Sequence, residues 1–490
     1  MSSLLDSHPQ PANPGSPDTA PAASDIIAAL MARNAALQEL VVSQAARIAE
    51  LERRLGLNSS NSGKPPASDG LKKPRRTQSL RTPSGKTSGG QKGHPGKTLC
   101  QVAEADATID HFPETCAGCG GSLDEASATG FTARQVFDLP KPQPLEVTEH
   151  RAHVCQCKAC GIRTRAAFPE GVAAPVQYGE RLASYVLYLL HGQLLPEKRV
   201  AALIADLFGV TLTTATIATI SQNYAERLRP FAETVRHQVA QAPVKHLDET
   251  GFRIAGKTQW LHIASTLLMT FYRTSPRRGS LLSGVSGIVV HDHWKPYYTL
   301  TGVLHALCNA HHLRELQALA EIEKEEWARR MQRLLRRACH ATNLARGGDK
   351  LLKPDLIALI ERRYDAILAE GLAYHEAQTP LVRPAEQAKR RGRVPHRVGH
   401  NLLFRLQNRR QDVLRFLHDP TVPFTNNLAE QDGRMMKVKQ KISGGFRSNA
   451  GAEAFGIIRT LISTARKQGW DMLQALTGNP ATLVAELRLA

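Results

Sequence analysis

The chain is 490 residues long, room for roughly three domains at about 150 residues each, and 63 Lys and Arg against 44 Asp and Glu leave a formal charge of +19. That excess favours a polyanionic partner, nucleic acid or an anionic membrane surface alike. No run of about 18 apolar residues offers a bilayer span and the Pro/Ser-rich start lacks a basic-then-apolar leader, which excludes the integral and exported classes and predicts a soluble cytoplasmic protein.

Residues 1–24 are rich in Pro, Ser and Ala without apolar periodicity and predict a disordered start. From Ile27 a seam of Ile27, Leu30, Asn34, Leu37, Val41, Gln44, Ile48, Leu51 and Leu55 advances in alternating steps of three and four, the pattern of a coiled coil over 25–57 that would make the protein a homo-oligomer. An amphipathic helix packed within its own chain has the same pattern. Polar, Pro and Gly residues from Asn58 then stop the helix, and residues 64–97 carry nine Lys and Arg against the single acid Asp69. Too poor in apolar residues for a core, 58–99 reads as a basic arm that follows a phosphate backbone, or as a solvated linker.

Eight cysteines are too few for a disulfide framework in so long a chain. Four of them, Cys116, Cys119, Cys157 and Cys160, form two Cys-x-x-Cys pairs, each followed by Gly, and four thiolates so spaced suit one structural Zn²⁺. Residues 136–154 between the pairs have β-like composition and predict a hairpin; Cys155, His111 and His153 are weaker substitute ligands. The chain turns helical from Tyr178. Residues 201–220 have an apolar helix, Gly209, and a Thr-rich second helix, the outline of a helix-turn-helix that would read DNA through 213–219, or of a plain helical hairpin.

Three stretches then carry acids where a metal-dependent enzyme needs them. Val244 to Ile254 and a second β-rich run, Gln259 to Ser265, after the turn-like Ala-Gly-Lys at 255–257 predict a strand pair with Asp248 on the first strand. The apolar run 287–290 predicts a buried strand, with Asp292 at its C-terminal end, where open α/β sheets place reactive groups. Asn426 and Asn427 precede a helix-forming segment whose first turn contains Glu430, and Asn427-x-x-Glu430 also fits a capping box. Asp248 has a turn-forming alternative with Glu249 as the acid, and Asp292 a role as a strand terminator. Carboxylates with open coordination positions suit Mg²⁺ or Mn²⁺, and two such ions can drive phosphoryl transfer.

The wording DETGFRIAGKTQWLHIAS, DHWKPYY and NNLAEQDGRMMKVKQKISGGFRS resembles the transposases of the insertion sequence 66 family over nearly the whole chain, as do NSSNSGKPP and GGQKGHPGKTL in the arm. The resemblance implies a ribonuclease H-like α/β domain with a mixed sheet, a D-D-E triad of Asp248, Asp292 and Glu430 holding two Mg²⁺ or Mn²⁺ ions, a DNA-contacting zinc domain, and small accessory proteins of the same element as partners. It implies hydrolysis at the element's end, then attack of the freed 3′-hydroxyl on target DNA with no covalent protein intermediate. The family pattern Ala-Glu-Arg is Ala-Glu-Gln-Asp-Gly here, so one basic residue is absent and Gly433 enters the helix. Cys308, His311 and Arg314 match a further family segment, read as strand-to-helix packing with a metal role as the alternative.

With 137 residues between Asp292 and Glu430, and helical patterns over 313–346 and 352–370, a helical insertion at 313–420 is expected in the catalytic domain. Residues 389–393 form a cationic tract. Arg434, Lys437, Lys439, Lys441 and Arg447 cluster around SGGFRS, whose glycines would let backbone approach a DNA phosphate. The expected order is a disordered start (1–24), coiled coil (25–57), basic arm (58–99), zinc-binding domain (100–175), helical DNA-binding region (176–242), catalytic domain (243–449) and a C-terminal helical segment (450–490). Phe455, Ile458, Leu461, Ile462 and Ala465 mark that last segment as a packing helix. The competing functions are a catalytically inactive DNA-binding regulator, suggested by the change at 431–433, and a recombinase with Tyr297 or Tyr298 as nucleophile.

Overall fold

A computed structural model describes residues 23–62, 100–138, 145–279, 282–348, 350–379, 381 and 396–489. Most of the expected disordered start, nearly all of the basic arm and the cationic tract at 389–393 lie outside the described residues. The helices in chain order are α1 (Ala23–Gly56), α2 (Glu180–Leu187), α3 (Glu197–Phe208), α4 (Thr214–Gln241), α5 (Asn309–Ala318), α6 (Glu326–Gly347), α7 (Pro354–Glu376), α8 (Val398–Asn408), α9 (Arg410–His418), α10 (Asn427–Ser443), α11 (Asn449–Gln468), α12 (Met472–Thr477) and α13 (Pro480–Ala485). The strands are β1 (Val154–Gln156), β2 (Arg163–Arg165), β3 (Val244–Ile254), β4 (Lys257–Ser265), β5 (Thr270–Ser275), β6 (Gly287–His291) and β7 (Val303–Leu307). Two compact units result, one from residues 1–77 with 309–413 and one from 78–308 with 414–490.

The second unit is built on a mixed five-stranded sheet in the order β5-β4-β3-β6-β7. β3 and β4 form a hairpin whose two loop residues, Ala255 and Gly256, both have positive φ, the primed turn that suits the right-handed strand twist. Lys257, expected in that turn, is the first residue of β4. β6 runs parallel to both β3 and β7, so the sheet changes from antiparallel to parallel at β3. Because side chains alternate across a strand, Leu247 joins a core with Ala232 and Val235 of α4, while Phe252, Ile254, Leu261 and Ile263 pack on the opposite face with Ala429 and Met436 of α10. α11, buried nearly all round, packs on β5 and α4 and completes the core.

Ahead of the sheet, α3 ends at Gly209 in the left-handed conformation, and Thr213 caps α4 by accepting the Thr216 N–H. The expected helix pair is present, but its second helix is the 28-residue α4, whose Ile217, Tyr224 and Leu228 are buried. The hairpin expected over 136–154 is a correction: the described residues there carry no strand until Val154, and the pairing is between β1 and β2, which flank Cys157 and Cys160. Pro140, Pro142 and Pro144 lack the N–H groups that a ladder needs.

The first unit is helical. α1 carries its seam residues exposed, from Leu30 to Leu55, and by length and composition alone one 18-residue stretch of it is apolar enough to cross a membrane, which the absence of an unbroken apolar run had argued against. The turn after α1 is tied down by Asn61, 1% exposed, whose side-chain amide donates to Gly56 O and to Glu321 Oε2 and whose Oδ1 accepts the Asn58 N–H. The single helix expected over 313–346 is two, because the chain leaves a π-helical turn at Leu319–Glu323 through Lys324 in the left-handed region before α6 begins. Glu325 in that break is buried and accepts from the Trp327 indole N–H at 2.6 Å.

Candidate active site

Asp248 lies on β3 opposite Ile263 of β4, on the sheet face that receives α10. Asp292 follows the last residue of β6, and its Oδ1 accepts the Trp294 N–H at 3.0 Å. His293 between them adopts φ 73°, a conformation costly for a side chain other than Gly and a mark of local strain. Glu430 stands in the first turn of α10. The three acids converge: the Asp248 carboxyl is pushed up to about 8, first by burial and then by the neighbouring charge of Glu249, with Asp292 and Glu430 adding to the repulsion.

α10 meets the sheet closely because of Gly433. A Cβ there would stand 2.9 Å from Ile263 Cδ1 and 3.8 Å from Asp248 Oδ2. Residues 430, 433, 437 and 440 share one helix face, and Lys437 Nζ and Gln440 Nε2 both reach Gly251 O at 3.2 Å on β3. Asp432 anchors the next face, accepting from Ser265 Oγ at 2.6 Å, Thr270 Oγ1 at 2.8 Å and Lys467 Nζ at 2.7 Å.

The capping box expected at Asn427-x-x-Glu430 does not form. The N-cap is Asn426, with no side-chain cap bond; its amide instead donates to Leu247 O at 2.8 Å and its Oδ1 pairs with His246 Nδ1 at 2.9 Å. Glu430 is thereby released from capping, and its Oε1 lies 3.6 Å from Cys308 Sγ, which also accepts the Asn426 N–H. Cys308 is buried directly after β7; His311 and Arg314 lie on α5 in the other unit.

Glu249 points to the opposite face of β3 from Asp248. It accepts two hydrogen bonds from Arg278, at 2.8 and 2.6 Å, and one from the Tyr297 hydroxyl, while its own N–H donates to Asp248 Oδ1 at 2.9 Å. Burial holds its carboxyl above the usual carboxylate range. Tyr297 is 2% exposed and committed to Glu249, and the Tyr298 hydroxyl pairs with His293 Nδ1 at 2.7 Å, so neither is presented as a nucleophile. Arg278 sits in the loop after β5 with no local pattern to single it out, and was missed in the sequence.

Of the basic residues after Glu430, Arg434, Lys437, Lys441 and Arg447 are exposed. Lys439 turns inward: its Nζ donates to Ser443 Oγ at 2.9 Å and lies 4.5 Å from the Phe446 ring centroid, where burial lowers its pKa. Gly445 of SGGFRS makes room for the chain itself, since a Cβ there would stand 2.7 Å from Arg253 O, and Phe446 exchanges backbone hydrogen bonds with Arg253 and Ala255.

The two Cys-x-x-Cys pairs form matching turns. Gly120 N–H donates to Cys116 O and Gly161 N–H to Cys157 O, each glycine at positive φ, and backbone N–H groups of Cys119 and Cys160 turn in to hold the Cys116 and Cys157 thiols below their usual pKa. That favours the thiolate, the form that binds metal. Among the described residues no three of these thiols come together within the reach of one ion.

Comparison with known families agrees with this layout. The Transposase IS66 family matches residues 175–454, which include all three acids; the zinc-finger binding domain of transposase IS66 matches 113–161, which include both cysteine pairs; and a family of unknown function matches 18–99. Among curated relatives from Sinorhizobium fredii, "Uncharacterized protein y4hP" is 23% identical over 426 residues, spanning 78% of this chain and 74% of the relative. "Uncharacterized protein y4jO" is 35% identical over 89 residues, 18% of this chain and 28% of the relative. With more than half its length matched, and a zinc-finger segment of the same family ahead of it, the chain belongs to the IS66 family of transposases.

Proposed function

We propose that the protein is a D-D-E transposase that cuts and joins DNA at the ends of a bacterial insertion sequence, with Asp248, Asp292 and Glu430 as its metal-binding acids. The observation that carries this reading is three carboxylates brought together from two strands and a helix, close enough for Asp292 and Glu430 both to oppose ionisation of Asp248. Crowded carboxylates are relieved by a divalent cation, and an all-oxygen donor set suits Mg²⁺ or Mn²⁺. Bound there, two such ions would supply an activated hydroxyl and stabilise the leaving oxygen in hydrolysis and in strand transfer. The chain's own part is to orient the acids: the Glu249 N–H holds Asp248, the Trp294 N–H holds Asp292, and the Asn426 clamp with Cys308 sets Glu430. The strand order, antiparallel on one side of β3 and parallel on the other, supports a ribonuclease H-like fold.

In this reading Arg434, Lys437, Lys441 and Arg447 meet DNA phosphates, and Lys439 supports the helix that carries them. The zinc-finger segment would hold one structural Zn²⁺ through Cys116, Cys119, Cys157 and Cys160, which would draw the two knuckles together around the ion. α1 pairs with a second copy along its exposed seam, and α3 with α4 adds a DNA-binding surface. The protein works on DNA in the bacterial cytoplasm, with small accessory proteins of the same element as further partners. Asp248→Asn, Asp292→Asn and Glu430→Gln are each expected to lower Mg²⁺-dependent nicking of DNA carrying the gene's own flanking sequences by about a thousandfold. A folded variant that still nicks at the wild-type rate sinks the assignment of that acid.

A further inference from the structure

We propose that Arg278 is a phosphate-binding residue, a rigid guanidinium fork that takes a DNA backbone phosphate flanking the one cut at the carboxylates. The inference rests on the assignment of Asp248, Asp292 and Glu430 above. A guanidinium has five N–H donors in a fixed plane. Arg278 spends two of them, on Nε and Nη2, on the single oxygen Glu249 Oε1. Its carbon lies 4.2 Å from the Trp294 ring centroid and 4.9 Å from that of Trp260, so aromatic rings hold the plane as well. Among the described residues the other N–H groups, along the outer Nη1–Nη2 edge, meet no protein acceptor. Two parallel N–H bonds on that edge match two oxygens of a phosphate.

The two ends of the ion pair are treated differently. The Glu249 side chain is 1% exposed and sealed by the Tyr297 hydroxyl, whereas the Arg278 side chain is 40% exposed. A counter-ion needed only to neutralise Glu249 has no reason to keep a fork in solvent. Held in this way, the fork has already lost its rotamer freedom, so capture of a phosphate costs little further ordering.

Two short links fix its place. Trp294, whose ring supports the guanidinium, donates its backbone N–H to Asp292, and Glu249, which binds the guanidinium, is the neighbour of Asp248 and donates to it. Glu249 and Asp248 leave β3 on opposite faces, so the fork stands around the strand from the acids and not among them. That geometry selects a neighbouring phosphate over the scissile one.

The test uses the full chain and a mixed-sequence duplex of about 30 base pairs, with affinity measured across about 50 to 300 mM salt in the absence of divalent ions. Arg278→Gln is expected to reduce the slope of log affinity against log salt by about 0.9, the loss of one phosphate contact, and Arg278→Lys to keep it. Mn²⁺-dependent nicking of a supercoiled plasmid is expected to slow at least about tenfold in Arg278→Gln and several-fold in Arg278→Lys, which retains the charge without the fork. A wild-type salt slope in Arg278→Gln, or wild-type nicking in a folded Arg278→Lys, overturns the proposal. Asp248→Asn run alongside keeps the two readings apart: lost nicking with an unchanged salt slope leaves the acids in place whatever Arg278 does, and wild-type nicking removes both.

Discussion

The Asp248 carboxyl ties the stability of the metal-free protein to pH. Its ordinary value of 3.8 rises to about 8 through burial and the charges of Glu249, Asp292 and Glu430. A carboxyl whose folded-state pKa is raised contributes stability that is fully present below its unfolded value and is lost as pH rises through the folded one. Between about pH 4 and pH 8 the folded chain holds a proton that the unfolded chain has released, so stability falls across that window and levels off above it. At about 1.4 kcal/mol per unit the full effect is on the order of 5 kcal/mol, an upper figure because water and side chains relax around a buried charge. Asp248→Asn keeps the shape and removes the titration. In chelator, the variant and the wild type are expected to unfold alike at or below about pH 4 and to diverge toward pH 9, the variant being more stable by several kcal/mol. Denaturant unfolding followed by circular dichroism at a series of pH values reads the difference, and the background from His246 and His262, both lowered to about 4 chiefly by burial, cancels between the two proteins. Saturating Mn²⁺ is expected to close the gap by stabilising the wild type alone. Parallel pH curves for the two proteins would refute the convergence of charge on Asp248.

Gly433→Ala is expected to destabilise by about 1–3 kcal/mol, measured by denaturant unfolding, although Ala is the better helix former by about 1 kcal/mol, because the new methyl meets Ile263 Cδ1 at 2.9 Å; a more stable variant would show that α10 has room to move. Asp432→Ala leaves the part-buried Lys467 without its carboxylate and is expected to cost about 2–4 kcal/mol, a loss that Asp432→Ala with Lys467→Met should recover in part, the Ser265 and Thr270 hydroxyls still lacking their acceptor, so equal stability of single and double variants rules out the ion pair as the cause. Cys116→Ser and Cys157→Ser are each expected to abolish zinc retention measured by metal analysis of the purified chain, and retention of a full complement by either separates the two knuckles. Leu37→Lys with Val41→Lys, on the exposed seam of α1, is expected to lower the oligomeric state by light scattering, and an unchanged mass points to association elsewhere.

What could be read from the sequence was local. The two β-rich runs around the turn at 255–257 placed Asp248 on a strand, the apolar run at 287–290 placed Asp292 at a strand end, and the helix formers after Asn427 placed Glu430 in a first turn, because each pattern needs only near neighbours. What escaped depends on partners far along the chain. The capping box was read at Asn427, whereas the N-cap residue is Asn426, whose side chain goes to His246 and Leu247, some 180 residues away. Gly444 and Gly445 looked like a phosphate loop, but Gly445 makes room for the Arg253 carbonyl. The β-like composition of 136–154 was real, yet among the described residues of that stretch only Val154 belongs to a strand, and its pairing is across the second cysteine pair. The long helix predicted from residue 313 broke at Lys324 because Glu325 is drawn inward to Trp327, a buried polar contact that apolar periodicity does not register.

The sequence Gln-Asp-Gly at 431–433, where the family pattern leads one to expect a basic residue, was the ground for suspecting an inactive protein. In the structure those residues act on the placement of Glu430. Asp432 is gripped by one hydroxyl on β4, one on β5 and an ammonium on α11, which fixes the rotation of α10 about its axis. Gly433 removes the side chain that would otherwise hold the helix off Ile263, which fixes its height above the sheet. A helix with rotation and height both fixed has little freedom left at its first turn, and the Asn426 clamp takes up what remains. The departure is thus compatible with a carboxylate held toward Asp248, and a residue change that would loosen a helix in isolation tightens this one against its sheet.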